Sequence, residues 1–447
     1  MPTTTRQLRG LPPVFWWIWA SLLVNWLGAF AGPMLAFSLT ADRGYSASYT
    51  GLVLALLGVG ALLGNGTGGV CADRVGRRPT LIAGHCLSAT SMLLLGFAQG
   101  RTAVAAAAFA VGAGAGIVRP AAGAALADVV AAEDRQRAFS LNYWAVNAGL
   151  AVSGTLAGLL AAHSYTVLFV ADAATTALCA LLVWAKVPET RPHTARGPDP
   201  RPLPGRTLRS DRLFLAFVVL TVVFAVAFEQ RSGALAVVMA GQGHSPQLFG
   251  AVNALNALLV VTLQVPLTRL LARRSRARVL GAAGLLGGAG FGLNAFAHGA
   301  PVYLLAVGVW TLGEMLQAPA GSAVTAERAP RDHRGRYLGA YGAAWSVAAF
   351  IGPAAGGWCL DRFGPGTLWG GCVALGVLAG CGWLLIVGSE SFRTATAVRG
   401  GGGTRPSPGN TEYETEHHSE HHSEHHFEHE TEHETEYATN NLKGHVT

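Results

Sequence analysis

The chain has 447 residues, of which 51% are hydrophobic and only 13% charged, with a formal net charge of +7. That balance is too apolar and too poor in charge for an average soluble domain, so most of the outer surface has to face lipid. The positive charge does not point to nucleic acid, because Lys and Arg gather in short loops between apolar runs while residues 410–447 are strongly acidic.

A hydrocarbon core of about 30 Å needs about 20 apolar residues per helical crossing. Twelve such runs follow one another, at 14–38, 48–71, 79–98, 102–130, 138–162, 166–187, 213–240, 247–271, 279–297, 301–326, 337–360 and 367–387. The first, carrying Trp16, Trp17, Trp19 and Trp26, is too long and too rich in Trp for a cleaved signal peptide and is expected to stay as a helix. The expected fold class is an all-α membrane protein of twelve transmembrane helices. In the odd-numbered loops the basic residues are Arg43, Arg101 and Arg362, and most others lie in the N-terminal segment and the even-numbered loops. Basic loops resist translocation, so both termini are expected to be cytoplasmic. Cys71, Cys86, Cys179, Cys359, Cys372 and Cys381 fall in or at the ends of apolar runs without metal-ligand spacing, and read as small thiols rather than a disulfide framework.

The sequence repeats itself at an offset of 199 residues. Gly51 meets Gly250, Arg74 meets Arg273, Arg77 meets Arg276, Pro120 meets Pro319, Asp128 meets Glu327, Arg135 meets Arg334, Arg137 meets Arg336 and Gly158 meets Gly357. Charges and prolines coincide along with the apolar runs, which predicts two pseudo-symmetric six-helix halves with a substrate site near mid-membrane between them. The expected organisation is a cytoplasmic N-terminus over 1–12, a first half over 13–187, a Pro- and Arg-rich cytoplasmic linker over 188–212, a second half over 213–390, and a disordered Gly-, His- and Glu-rich cytoplasmic tail over 391–447.

After the second run comes Gly68-Gly69-Val70-Cys71-Ala72-Asp73-Arg74-Val75-Gly76-Arg77-Arg78-Pro79. Gly69 allows close helix approach, Gly76 a tight turn, and Asp73 can face the positive amino end of a helix, for which the start of the eleventh run near Tyr337 is a candidate. This segment resembles the loop signature G-x-x-x-D-R-x-G-R-R of the major facilitator superfamily. The resemblance implies a cytoplasmic gating latch in which Asp73, Arg74, Arg77 and Asp128 form charge pairs, with Gly69, Gly76 and Arg78 completing the motif. The repeat copy, Leu271-Ala272-Arg273-Arg274-Ser275-Arg276, lacks the acid and the glycine. The stretch from Gly313-Glu314-Met315-Leu316 through Pro319 to Gly352-Pro353-Ala354-Ala355-Gly356-Gly357 is similar to the bacterial drug:proton antiporter branch of that family. Two departures stand out. The G-P-x-x-G-G motif expected in the fifth helix reads Ser153-Gly154-Thr155-Leu156-Ala157-Gly158, and the arginine usual in the fourth helix is replaced by Ala105 to Ala108. Transport is therefore implied more firmly than antiport.

An ionised side chain at the bilayer centre costs about 2.5–3.5 kcal/mol on insertion scales, so each needs a partner, a wet cavity or a task. Arg119, Asp172, Glu229, Arg231 and Glu314 are such residues and are the candidates for proton coupling, with Glu229 or Glu314 as the carrier; the competing reading is static ion pairs between helices. Asn25, Trp26, Gln230, Trp310, Tyr341 and Trp345 combine aromatic surface with polar groups and are the candidates for the substrate cavity. In the tail, His417, His421, His425, His429 and His433 recur every four residues, which on a helix would suit a transition metal and otherwise reads as a solvated low-complexity segment.

The expected function is secondary active transport, by proton-coupled efflux of small, drug- or antibiotic-like amphipathic molecules with alternating access. The partners are a small-molecule substrate, protons and membrane lipid, without nucleic acid; the chain is expected to act as a monomer, with no cofactor and no enzymatic activity, in a bacterial inner (plasma) membrane. Two alternatives stay open: proton-coupled uptake of a sugar, amino acid or small peptide, and a non-transporting sensor or metal-responsive membrane scaffold working through the His-rich tail.

Overall fold

A computed structural model describes residues 10–131, 134–191, 210–271, 273–329, 334–389 and 392, with backbone only at 33, 135, 136, 140, 143, 334 and 335. The histidine repeat and most of the expected linker lie outside the described residues. Within them all regular structure is helical: α1 Pro13–Leu27, α2 Ala31–Phe37, α3 Ala47–Arg74, α4 Arg77–Phe97, α5 Arg101–Val129, α6 Arg135–His163, α7 Tyr165–Lys186, α8 Arg212–Glu229, α9 Ala234–Gly241, α10 Pro246–Leu271, α11 Arg276–Leu293, α12 Ala300–Arg328 and α13 Arg334–Gly388.

Nine segments among the described residues are long and apolar enough to cross a membrane. α12 is as long, at 29 residues, but carries Glu314, Gln317 and Pro319 along its length. Large apolar side chains point outward, Leu270, Phe296 and Leu385 being 72–75% exposed, as expected of a surface solvated by lipid.

Local chemistry sets the helix ends. Ser46 accepts the Tyr49 N–H at the start of α3, Ser164 that of Val167 at the start of α7, and Asp211 that of Phe214 at the start of α8, each satisfying an amide with no partner inside its helix. Two runs that read as single elements in the sequence are interrupted, and two that read as separate are continuous but for one glycine. The first breaks at Gly28 to Phe30 between α1 and α2, and the seventh at Gln230 to Gly233 between α8 and α9. The eleventh and twelfth runs form the two arms of α13, separated at Gly364, whose φ of 79° suits glycine and which precedes Pro365.

Small residues set the packing. Gly60, Gly64 and Gly68, one per turn of α3, lie against the α5 backbone at Phe109, Ala113 and Ile117, and α11 meets the second arm of α13 through Gly284 and Gly288 on Gly376 and Gly380. In lipid no hydrophobic force drives helices together, so backbone approach of this kind supplies the contact. Beyond these pairs, α3 packs on α13 and α6 on α10. Asp361, at the end of the first arm of α13, accepts the N–H groups of Ala47 and Ser48 at 3.1 and 2.7 Å, capping α3 from across the bundle.

Candidate functional site

The residues singled out in the sequence separate into three groups. The first lies in a cavity of about 380 Å3 lined by residues of α1 to α7, which brings together Asn25, Trp26, Arg119 and Asp172. Asp172, 4% exposed, explains the break in the first run: its carboxylate accepts the backbone N–H of Ala31 at 2.8 Å, the first residue of α2, and the Thr176 hydroxyl at 3.5 Å. Thr175, one turn of α7 away, fills the space where a side chain on Gly28 would sit. Arg119, beside Pro120 in α5, is exposed to the cavity and makes no hydrogen bond or ion pair among the described residues. His85 on α4 and Asn142 on α6 line the same space and were not foreseen; a polar residue inside an apolar run is the signal that could have marked them.

The second group sits at the break between α8 and α9. Glu229 ends α8 rather than lying within a continuous helix. Gln230 donates from Nε2 to the carbonyls of Val226 and Gly352, both at 2.9 Å. This contact gives the Gly352-Pro353-Ala354-Ala355-Gly356-Gly357 motif a physical role: a Cβ on Gly352 would come within 2.7 Å of the Glu229 Cβ, and one on Gly356 would collide with the Gln230 amide. Glu314 Oε2 accepts the Asn256 amide at 2.8 Å, and Asn256 also donates to the Thr311 hydroxyl at 3.0 Å. The charges of Arg231 and Glu229 both act on Glu314. Arg231 forms no ion pair among the described residues, and its guanidinium lies 4.9 Å from the Phe228 ring centre, a cation–π distance.

Of the aromatic candidates, Trp310 and Trp345 lie at this break and Tyr341 stands further back along α8. Trp310, 2% exposed, stacks on Phe291 at 5.5 Å and meets Phe228 edge-on at 5.7 Å. Trp345 meets Phe228 edge-on at 5.9 Å, and Tyr341 stacks on Phe217 while its hydroxyl accepts from Gln317 at 3.1 Å.

The third group is the loop signature. Arg77 donates from Nε to Asp128 at 2.9 Å and pairs through Nη1 with Asp73 at 3.0 Å, and its Nη1 also reaches the Ala72 carbonyl. Arg78 reaches the Trp184 carbonyl at 2.6 Å, Arg74 is exposed, and Gly76 holds a φ of 124°. Gly69 faces Pro120, whose Cβ a side chain there would just touch, at 4.0 Å. The acid over the amino end of α4 is one the sequence did not reveal. Glu189, just past α7, accepts the N–H groups of Arg77 and Arg78 at 2.8 and 3.2 Å. Partial burial pushes its carboxyl up, but the backbone N–H groups of Arg191, Arg77, Arg78 and Thr190 outweigh that and hold it below the ordinary glutamate value. The repeat equivalent of Arg77–Asp128 is present as Arg276–Glu327 at 3.4 Å, more exposed and looser.

A fourth cluster also escaped sequence reading. Arg328 at the end of α12 and Asp211 before α8 form a bidentate pair at 2.7 and 2.9 Å, both almost fully buried. Tyr337 donates to the same carboxylate at 3.1 Å, and Arg328 reaches the Phe392 carbonyl at 2.6 Å. Nothing in local sequence joins residues so far apart in the chain.

Ionisable residues at helix breaks inside an apolar helical bundle, together with a charge-paired loop over Asp73 to Asp128, agree with the family model for the Major Facilitator Superfamily, which matches residues 18–230 and 231–415. The chain belongs to the Major Facilitator Superfamily. It is accordingly a multi-pass membrane protein of a transporter family. Among Major Facilitator relatives, it is 28% identical over 351 residues to the uncharacterised MFS-type transporter YttB of Bacillus subtilis, covering 77% of this chain and 87% of that one. It is 26% identical over 365 residues to the multidrug resistance protein MdtH of Salmonella typhimurium, covering 79% and 88%. Solved structures share the fold. The nucleoside transporter NupG superposes with a TM-score of 0.72 at 12% identity over 83% of this chain and 99% of that one. A D-xylose-proton symporter superposes with a TM-score of 0.63 at 19% identity over 82% and 95%.

Proposed function

We propose that this chain is a proton-coupled exporter of small amphipathic molecules, alternating access between two six-helix halves, residues 13–187 and 213–390, in a bacterial inner membrane with both termini cytoplasmic. The observation that carries this reading is the group formed by Glu229, Arg231 and Glu314. Glu229 and Arg231 stand at the break between α8 and α9, Glu314 on α12 lies within reach of both charges, and among the described residues Glu314 is held by a single neutral amide donor from Asn256. A carboxylate so placed binds a proton readily when the site is dry and releases it when water or the guanidinium comes nearer. Coupling follows if the proton and the substrate compete for this site, so that a proton taken from outside is released inside as substrate leaves. Similarity to MdtH supports efflux as the direction.

The loop signature supports a gate. Arg77 bridges the end of α3 and the end of α5 through Asp73 and Asp128, tying three helix ends of the first half into one rigid corner. Contacts between the proposed halves run from Ala47–Asp361 to Gly58–Ala349 along α3 and α13, at the end of α3 remote from Asp73. Rocking about that contact would open or shut the Asp73 face.

The deciding measurement is accumulation of an amphipathic substrate in inverted vesicles under an imposed pH gradient, with Glu229→Gln and Glu314→Gln tested singly. Export coupled to protons gives gradient-driven entry in the parent, lost in one of the two variants. Gradient-dependent entry intact in both would rule this reading out, and entry with the opposite gradient bias would make the chain an importer.

A further inference from the structure

We infer that the cavity lined by α1 to α7 docks the anionic end of an aromatic weak acid, a carboxylate or phenolate, with Arg119 as its counter-charge. This deepens the transport reading above, on which its physiological sense rests, but it concerns binding alone.

The cavity, at about 380 Å3, has the size of a small-ligand site. Its walls are mostly apolar, from Leu22 and Trp26 to Met92 and Val146. Against that background three polar atoms have no hydrogen-bond partner among the described residues: His85 Nε2, Ser88 Oγ and Asn142 Oδ1. His85 and Ser88 are 1% and 8% exposed, so both belong to residues more than nine-tenths buried, and both line this space. Buried polar groups are nearly always satisfied in folded proteins, so several orphans around one cavity mark a place that a polar ligand or ordered water completes.

The sign of the ligand's charge follows from which charge is free. Among the described residues three ionisable side chains line the cavity: Asp172 from α7, His85 from α4 and Arg119 from α5. Asp172 is 4% exposed, with its oxygens engaged by Ala31 and Thr176 at the break in the first run. Arg119 is exposed into the space and makes no hydrogen bond or ion pair among the described residues. A guanidinium presents a planar fork that fits a carboxylate through two parallel hydrogen bonds, and the adjoining apolar wall with Trp26 suits an aromatic body.

Three probes with one apolar body test this on the full chain in lipid nanodiscs: 1-naphthoate, 1-naphthamide and 1-naphthylmethylammonium, by titration calorimetry. The expected result is naphthoate binding at least tenfold tighter than the amide, with the ammonium weakest. Arg119→Gln should bring the naphthoate-to-amide ratio close to one. An unchanged ratio in that variant, or tightest binding of the ammonium, would overturn the inference. Should Arg119→Gln not yield folded protein, Arg119→Lys decides instead: it keeps the charge but loses the fork, and a three- to tenfold loss confined to naphthoate is expected, whereas equal binding of naphthoate by parent and variant would overturn it. Equilibrium binding needs no gradient, so the two readings fail separately. Loss of the naphthoate preference in Arg119→Gln together with intact pH-driven entry in both glutamate variants would sustain the anion site and defeat the coupling. Gradient-driven export without naphthoate selectivity would do the reverse.

Discussion

Gly51 and Gly357 lie backbone to backbone where α3 crosses α13: a Cβ on Gly51 would collide with the Pro353 carbonyl and come within 3.3 Å of the Gly357 Cα. Their repeat equivalents, Gly250 and Gly158, meet in the same way where α10 crosses α6, with a Cβ on Gly250 3.0 Å from the Gly158 Cα. The offset of 199 pairs Gly51 with Gly250 and Gly158 with Gly357, so residues matched by the repeat occupy matched crossings. Gly51→Val and Gly250→Val should each lower the thermal midpoint by several degrees and abolish transport, because bulk at either crossing forces the helices apart. Gly308→Ala, where a Cβ meets nothing within 4 Å, should leave both properties unchanged in the same melting and uptake assays.

The Arg77–Asp128 and Arg276–Glu327 pairs offer a controlled comparison of burial. The side chains of the first are 7% and 18% exposed, those of the second 42% and 50%. Stranding a fully buried charge costs about 3–5 kcal/mol and an exposed pair is worth about 0–1 kcal/mol; loss of Arg77 falls between, because Arg77 is buried but the two carboxylates it leaves, Asp128 and Asp73, reach solvent. Arg77→Met should therefore destabilise more than Arg276→Met, which should change little, as read by thermal unfolding in one detergent.

Asp172 separates a structural role from a proton-carrying one. Asn at this position keeps an oxygen to accept the Ala31 N–H, whereas Ala leaves that amide unpaired at a cost of about 1–3 kcal/mol. Asp172→Asn should melt close to the parent and Asp172→Ala well below it. If Asp172 only caps α2, pH-driven transport survives in Asp172→Asn; its loss with unchanged stability would move Asp172 into the coupling group.

Glu189 predicts a pH dependence with a definite sign. Its folded value lies below the ordinary one because backbone N–H groups favour the carboxylate, so its contribution to stability is fully present above the unfolded value and fades as pH falls through the folded one. Glu189→Gln should lower stability near pH 7 by about 0.5–2 kcal/mol, the range for losing a helix cap. The difference from the parent should shrink in acid, below about pH 4, and melting curves across pH 3 to 8 check this.

Asp211 and Arg328 make a fifth case. Each is nearly inaccessible and the pair is bidentate, so Arg328→Met should destabilise by about 3–5 kcal/mol while Asp211→Leu with Arg328→Met recovers part of the loss. A double-mutant cycle by thermal unfolding measures the coupling.

The membrane class of this chain was open to reading because its signals are one-dimensional. Apolar runs of spanning length, a repeat at fixed offset, and the contiguous motif from Gly68 to Pro79 all lie along the chain, and the structure's helices follow those runs. The charge pair of Arg77 with Asp128 was legible too, since the family resemblance of the motif implies an acid partner at the end of the fourth run. The two helix breaks were not. A break at Gly28 to Phe30 depends on Asp172 reaching Ala31 from more than a hundred residues away, and one at Gln230 to Gly233 on the Gly352 carbonyl accepting the Gln230 amide. Glu189 escaped for the same reason, lying 112 residues from Arg77.

The sequence by itself determined lipid as the solvent, helix as the structure of the apolar runs, the repeat, and the membership of the loop motif, because hydropathy, backbone satisfaction in lipid and turn chemistry act over a few residues at a time. Only the tertiary structure decided that the intramembrane ionisable residues form two groups, Arg119 and Asp172 around one cavity and Glu229, Arg231 and Glu314 around a second helix break. A buried charge is stabilised by whichever donor or counter-charge the packing brings within about 3 Å, and that neighbour is chosen by how helices cross, not by where it stands in the chain.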